Sequence, residues 1–510
     1  MSDAGYNDDD LLDKELFGGD SDDPDSMGMD VDGMLGMGGE PSGDLDKAVV
    51  AAAAVAAQAA KEQNKSNSSS AAAAFAVSKE TDTDDVPLKE ELKPKKELIP
   101  TKPDIQPDEP PGAFTMNHYP ARAPTEIASD YQHCAMYDVV PTIAFINAYQ
   151  IHAVAATADM RWMFTGGEDG YVKKWDFNAS VNGKQLLTQG QRHSLVDGVT
   201  KAGIMASYWD HADSAHPSSV ASGPETLSPV YSMAVHSQGM WMVSGMKSGN
   251  IGLWTIRHDE GRRVAVLGKH TKPVSVLRTT PDEYGLVSGA WDRACLYWDL
   301  NTGRVARVFN EHSSQISSIE FQPQAVGADT GALMMTTGID GQCLLWDMRV
   351  AKPVTSSLKQ FEPALKTPPW ASSACWSRDG RRIYVGRRNN TVDEYDIAAG
   401  IGGSNGPVRT LRLPMNSGPV TAVAMMANGR NLVCASTDNV RIWDLDLPPV
   451  VAGRSTVPFQ IIPGHHGGCV SSILVDEASR YLVTTSGNRG WDGVSNNVCL
   501  GYEVAPVLKV

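Results

Sequence analysis

The 510-residue chain contains no run of about eighteen or more strongly apolar residues, the length a membrane-spanning helix needs. The alanine-rich run 48–60 is too weakly apolar to serve. A basic start is missing as well, and an acidic N-terminus argues against a secretory signal or a mitochondrial presequence. Cysteine is scarce: seven residues, at 134, 295, 343, 375, 434, 469 and 499, with no close pair. That spacing argues against a thiolate metal cluster and favours buried free thiols in a reducing compartment. Paired catalytic carboxylates and metal-ligand spacings are absent too. The glycine-rich 400–406 (GIGGSNG) has no helix to present to a phosphate. No cofactor, no metal and no enzymatic activity are therefore expected. Negative charge is unevenly placed. Residues 1–46 hold fifteen Asp or Glu against one Lys, so this segment accounts for −14 of the chain's −16. A nearly neutral body beside an acidic arm points to a basic partner for the arm.

What is present is a repeat. The stretch 286–300 (LVSGAWDRACLYWDL) reads as strand, turn and strand, closing on an aromatic–acidic pair. Six relatives align with it, and the closing aromatics are Trp175, Trp254, Trp298, Trp346, Tyr395, Trp443 and Tyr502. They are 79, 44, 48, 49, 48 and 59 residues apart. A strand–turn–strand unit has no core of its own. A period in the forties is that of a four-stranded propeller blade. The expected fold is all-β: a seven-bladed WD40 propeller over 128–510, preceded by a long disordered acidic N-terminal region, 1–127. The dipeptide Trp–Asp also occurs seven times, but at 209, 291 and 491 it lies in an insert and in two turns. The blade count rests instead on the aligned units, three of which end Trp–Thr, Tyr–Asp and Tyr–Glu.

Ring closure should join the chain's two ends. The apolar run 139–146 is expected as the outer strand of the seventh blade, beside 498–504, because closure removes two exposed sheet edges. An insert at 178–228 explains the long first interval. Its segment 184–189 is expected to supply the first blade's outer strand, and 214–229 to be loose. Shorter inserts are expected at 324–331, 398–407 and 487–497.

Within the repeats, His270, Ser288, Asp292 and Trp298, and again His312, Thr336 or Thr337, Asp340 and Trp346, recur at blade spacing. A Ser–His–Asp trio invites a catalytic reading. Duplication in successive blades argues against it, and a polar network pairing buried groups explains it. Asp169 and Asp438 stand in turns that favour Asp, and His465–His466 opens the last repeat.

Candidate partner-binding residues come from three places. In the arm, Leu11, Leu12, Leu16 and Phe17 lie at helical spacing among acids, a pattern either for a short segment that folds on a partner or for a solvated acidic tail with incidental leucines. In the insert the candidates are Val196, Lys201, Tyr208 and Trp209. On the rim made by the turns before each blade's last strand they are Trp291, Arg293, Arg387, Arg388, Arg489 and Trp491, with Glu168 and Lys247, since Trp and Arg dominate binding hot spots. Arg378, Arg381 and Arg382 would make the fifth blade basic on both edges. The cluster Lys93, Lys95 and Lys96 reads as a charged linker or an import signal, and 44–61 as a transient helix.

The repeats over 139–505 resemble the WD-repeat propeller family. Two stretches, 164–177 (FTGGEDGYVKKWDF) and 191–210 (QRHSLVDGVTKAGIMASYWD), together with the acidic character of the arm, resemble the WD-repeat subunits of fungal SAGA transcriptional coactivators that contact the TATA-binding protein. The resemblance implies a nuclear, non-enzymatic subunit of a multi-protein complex, with the TATA-binding protein as partner and no sequence-specific DNA binding of its own. The arm could imitate DNA, its acids standing for phosphates and its apolar residues for wedge targets in the minor groove. A chromatin propeller whose acidic arm engages basic histones is the alternative.

Overall fold

In the computed structural model, the described residues are 126–213, 227–323, 333–349, 359–361, 369–397, 406–447, 457–465, 469–486 and 497–508. Among the described residues seven β-sheets form a ring, antiparallel except for one short parallel pair. Six have four strands and one has five. The third blade shows the plan. Val274–Thr279 lies innermost, followed by Gly285–Ala290, Cys295–Asp299 and Arg304–Phe309. Its second strand is buried at all six positions, because it packs against neighbouring blades on both faces.

The seam uses both ends of the chain. Met136–Ile146 pairs antiparallel with Val498–Val507, with Val139 opposite Val504 and Ile146 opposite Val498. Phe145 of this strand packs edge-on to Trp175 of the first blade at 5.3 Å, so closure also fills the interface between the last blade and the first. Complete burial of an aromatic or large aliphatic side chain contributes about 1.5–3 kcal/mol. Each blade interface has its own apolar cluster, as around Trp241, Trp298 and Trp346.

The insert departs from expectation. The first blade's outer strand is Ile204–Asp210, not 184–189. Two local effects decide this. Asp176 caps a helix, Phe177–Asn182, by accepting from the Ala179 N–H, and this carries the chain away from the sheet edge. Thr188 then forms a capping box with Gln191 at the start of Gln189–Arg192, which ends any strand there. The run IMASYWD alternates faces instead, so Trp209 goes inward beside Phe164 while Tyr208 goes outward against Tyr171. Between these elements Lys201–Ala202 pairs parallel with Ile143–Ala144, adding a fifth strand to the closing blade.

The arm with Leu11, Leu12, Leu16 and Phe17, the tracts 44–61 and 89–102, the loop 214–226, Arg489 and Trp491 lie outside the described residues. So do 324–331, 398–405 and 487–496 of the shorter inserts, and His466.

Candidate interaction surface

The recurring polar residues are a buried relay. In the third blade the Trp298 indole N–H donates to Ser288 Oγ at 2.8 Å, and Ser288 meets His270 Nε2 at 2.7 Å. His270 Nδ1 lies 3.0 Å from Asp292. A carboxylate only accepts, so Nδ1 carries the proton and Nε2 accepts from the serine. The fourth blade repeats this with Trp346, Thr336, His312 and Asp340, so the hydroxyl is that of Thr336. Burial acts to raise the Asp340 carboxyl. The hydrogen bond from His312, with those from the Gln342 and Ser313 N–H groups, outweighs it and brings the group to about 2. Ser288 and Thr336 are completely buried. A reactant cannot reach either hydroxyl, and each is already committed to a tryptophan and a histidine.

Other blades vary the theme. In the second, His211 replaces the upstream histidine, with Nε2 2.8 Å from Ser244 Oγ and Nδ1 2.8 Å from the Ser228 carbonyl. Among the described residues no carboxylate is hydrogen-bonded to it, and desolvation lowers it to about 4. In the sixth, Cys434 stands at the Ser288 position, and the Trp443 indole N–H has no acceptor among the described residues. In the fifth, Val385 stands there, and Arg387 takes over from the strand end. Its guanidinium reaches Asp393 at 2.6 Å, the Tyr395 hydroxyl at 2.7 Å and the Gly341 carbonyl of the fourth blade at 2.7 Å.

Arg387 is thus no surface candidate: it is 0% exposed, drawn inward by Asp393. Trp209 is likewise removed, at 7% exposed on the inner face of its strand. The fifth blade is also less basic than its sequence, because Arg382 and Arg409 both pair with Glu394 at 2.6 Å. Two insert candidates hold the insert to the ring. Val196 packs against the closing blade's core, and Lys201 donates to the Val181 carbonyl and faces Glu503 at 3.7 Å. Tyr208 remains exposed on the outer edge.

On the rim, Trp291 is 41% exposed, and its ring lies 5.7 Å from that of Tyr231. Arg293 is exposed with φ of 72°. The equivalent turn positions in blades one, two and four are Gly170, Gly249 and Gly341, also with positive φ. A side chain in this left-handed region costs about 1–2 kcal/mol, and no hydrogen bond of the Arg293 side chain is seen among the described residues. Arg388 is exposed, its guanidinium 4.1 Å from the centre of the Trp370 ring. Sequence reasoning missed Trp370, Tyr231 and His152. Their signal was available only by aligning the innermost strands, which lack the aromatic close that anchors the other comparison.

Residues 137–330 and 328–505 match the family described as the SPT8 beta propeller. The chain is 40% identical over 443 residues to the SAGA complex subunit Spt8 of Schizosaccharomyces pombe, covering 72% of this chain and 80% of the relative. It is 32% identical over 444 residues to the SAGA complex subunit SPT8 of Saccharomyces cerevisiae, covering 72% of each. A guanine nucleotide-binding protein β subunit of Nicotiana plumbaginifolia is more distant, 25% identical over 232 residues, covering 44% of this chain and 56% of that one. The paired matches run from the closing strand to the last blade, and the chain belongs to the SPT8 β-propeller family.

Proposed function

We propose that the chain is a non-enzymatic scaffold subunit of a SAGA-type nuclear coactivator that binds the TATA-binding protein and regulates its delivery to promoters. The observation carrying this reading is likeness over most of the chain to two proteins that are each a SAGA complex subunit. The relay residues support the absence of catalysis, since their hydroxyls are buried and engaged. In this reading the propeller docks to the assembly, and residues 1–46, with a net charge of −14, engage the basic, partly apolar DNA-binding saddle of the TATA-binding protein.

The test has two arms. Tagged full-length chain purified from its own nuclei should bring down the other coactivator subunits in stable ratio. Purified chain should bind purified TATA-binding protein in preference to histone octamer. Deleting residues 1–46 should weaken that binding and flatten its dependence on salt, because charge-driven association weakens as ionic strength rises. Unchanged affinity and salt slope would remove the arm from the mechanism. Preference for the octamer would favour the chromatin reading.

A further inference from the structure

The innermost strands carry a second departure from the repeat. At the bulge that begins each of them, the residue lining the central cavity is Ser275, Ser317, Ser372, Thr421 or Ser471 in blades three to seven. Several of these hydroxyls tie one blade to the next. Ser275 donates to the Ile316 carbonyl at 2.7 Å, Ser317 to that of Ala371 at 2.6 Å, and Ser471 to that of Ile151 at 2.6 Å. In blades one and two the equivalent places hold His152 and Tyr231, and in blade two the tie passes to the neighbouring Ser232, which donates to the Val274 carbonyl at 2.8 Å. The His152 and Tyr231 rings lie 5.5 Å apart. Tyr231 reaches on to Trp291, and His152 to the half-exposed carboxylate of Glu168 at 2.8 Å. Three adjacent blades thus place a continuous aromatic platform with an acid at one end, and two of its rings, His152 and Tyr231, line a cavity of about 520 Å³.

The same rim shows what such a platform holds. In blade five the exposed Trp370 is covered by the chain's own Arg388 guanidinium. Among the described residues no lysine or arginine covers Tyr231 or Trp291. We infer that the His152–Tyr231–Trp291 platform with Glu168 is a docking site for a cationic side chain, arginine above all, carried on an extended segment of a partner protein. The ring faces attract a cation through their quadrupoles, a planar guanidinium stacks as well, and Glu168 supplies the opposite charge. This goes beyond membership of the coactivator and does not depend on it.

The experiment uses the full chain and a fluorescein-labelled decapeptide of alternating Arg and Ser, read by anisotropy. Counterparts carry Glu or norleucine in place of Arg. Capture by the acids of residues 1–46 adds the same increment in every variant, so it is measured as the binding left in the Tyr231→Ser/Trp291→Ala double variant and subtracted before variants are compared, at a salt concentration that screens the arm. Tyr231→Ser, which restores the hydroxyl of the other blades, and Trp291→Ala should each weaken the Arg peptide about five- to tenfold. Glu168→Gln, an exposed change that leaves packing intact, should weaken it about threefold. Tyr208→Ser on the outer edge should leave it unchanged. Equal affinity for the Arg peptide across all these variants would overturn the proposal, as would a norleucine or Glu peptide that binds as well and responds to the same substitutions. Thermal unfolding of each variant identifies any loss that comes from misfolding, and Glu168→Gln keeps the test decisive if Tyr231→Ser does not fold.

Discussion

Blades three and five hold the same hairpin with different chemistry. Blade three uses a relay within one sheet and its entering loop, His270 to Ser288 to Trp298, with Asp292 holding the histidine. Blade five uses one buried arginine, which satisfies Asp393 and Tyr395 in its own blade and the Gly341 carbonyl of blade four. The relay steadies a blade, whereas the arginine also latches two blades together. A repeat therefore conserves the place where polar groups meet and leaves open how they are paired.

The most disruptive way to test this contrast is to strand one of the buried charges. Arg387→Met should cost about 3–5 kcal/mol, because Asp393 is then left ionised in the interior without its partner. Urea unfolding of the full chain measures it. Adding Asp393→Asn removes the stranded charge and keeps an acceptor for the Thr410 hydroxyl, so the double variant should recover much of the loss. A single-variant cost below about 1 kcal/mol would sink the idea that this pair holds the seam.

A second contrast is between His211 in blade two and Asp340 in blade four. The folded state keeps His211 neutral by burial, with its pKa at about 4 against an ordinary 6.5. Between those values the unfolded chain binds more protons, so stability is whole above about pH 6.5 and falls as pH drops towards 4. The full shift corresponds to about 3 kcal/mol. Asp340, held at about 2, loses its contribution only lower, between about pH 3.8 and 2. Urea midpoints taken at intervals between pH 7 and 4 should fall steeply in the parent chain, and more gently in His211→Gln by up to that amount. Parallel curves would show that His211 is not the group responsible.

Arg293 offers a smaller test on the rim. Its left-handed backbone suits glycine, as in three other blades. Removing the side chain relieves about 1–2 kcal/mol of strain, against about 0.5–1 kcal/mol of added backbone freedom in the unfolded chain. Arg293→Gly should therefore leave thermal stability unchanged or raise it slightly. A clear loss of stability would show that the arginine has a structural partner and is not free for another molecule.

Much of this architecture is legible in the sequence, for a physical reason. The closing aromatics, the turn aspartates and the spacing are local, and each blade repeats them, so one unit calibrates the next. Ring closure is legible as well, since 139–146 is the only early apolar β-run beside a chain that needs to bury two edges. The insert is different. Whether 184–189 or 204–210 forms the outer strand is settled by the caps at Asp176 and Thr188 and by where Trp209 finds Phe164, and that contact between strands has no signature in spacing. The rim fails for a related reason. An arginine next to a turn reads as exposed unless the aspartate six residues later is known to point back at it, as Asp393 does to Arg387. Tyr231 and His152 look like ordinary strand residues until five serines and threonines at the same bulge show what they replace.

A last comparison isolates the relay from simple packing. Trp346 and Trp443 are both completely buried and stand at the same position of their blades. The first gives its indole N–H to Thr336 at 2.8 Å, while the second faces Cys434 and gives its own to nothing among the described residues. Replacing either with Phe removes the same volume, so cavity costs largely cancel in the comparison. What remains is one hydrogen bond lost in blade four against one unpaired donor removed in blade six. Trp346→Phe should therefore cost about 1–2 kcal/mol more than Trp443→Phe. The converse change should help: Cys434→Ser places a hydroxyl in the position Thr336 occupies, and should raise stability by about 1 kcal/mol in the parent chain and by nothing in Trp443→Phe. A gain that persists without the indole would mean the serine acts on something other than the tryptophan, and the sixth blade would then have lost the geometry of the relay along with its hydroxyl.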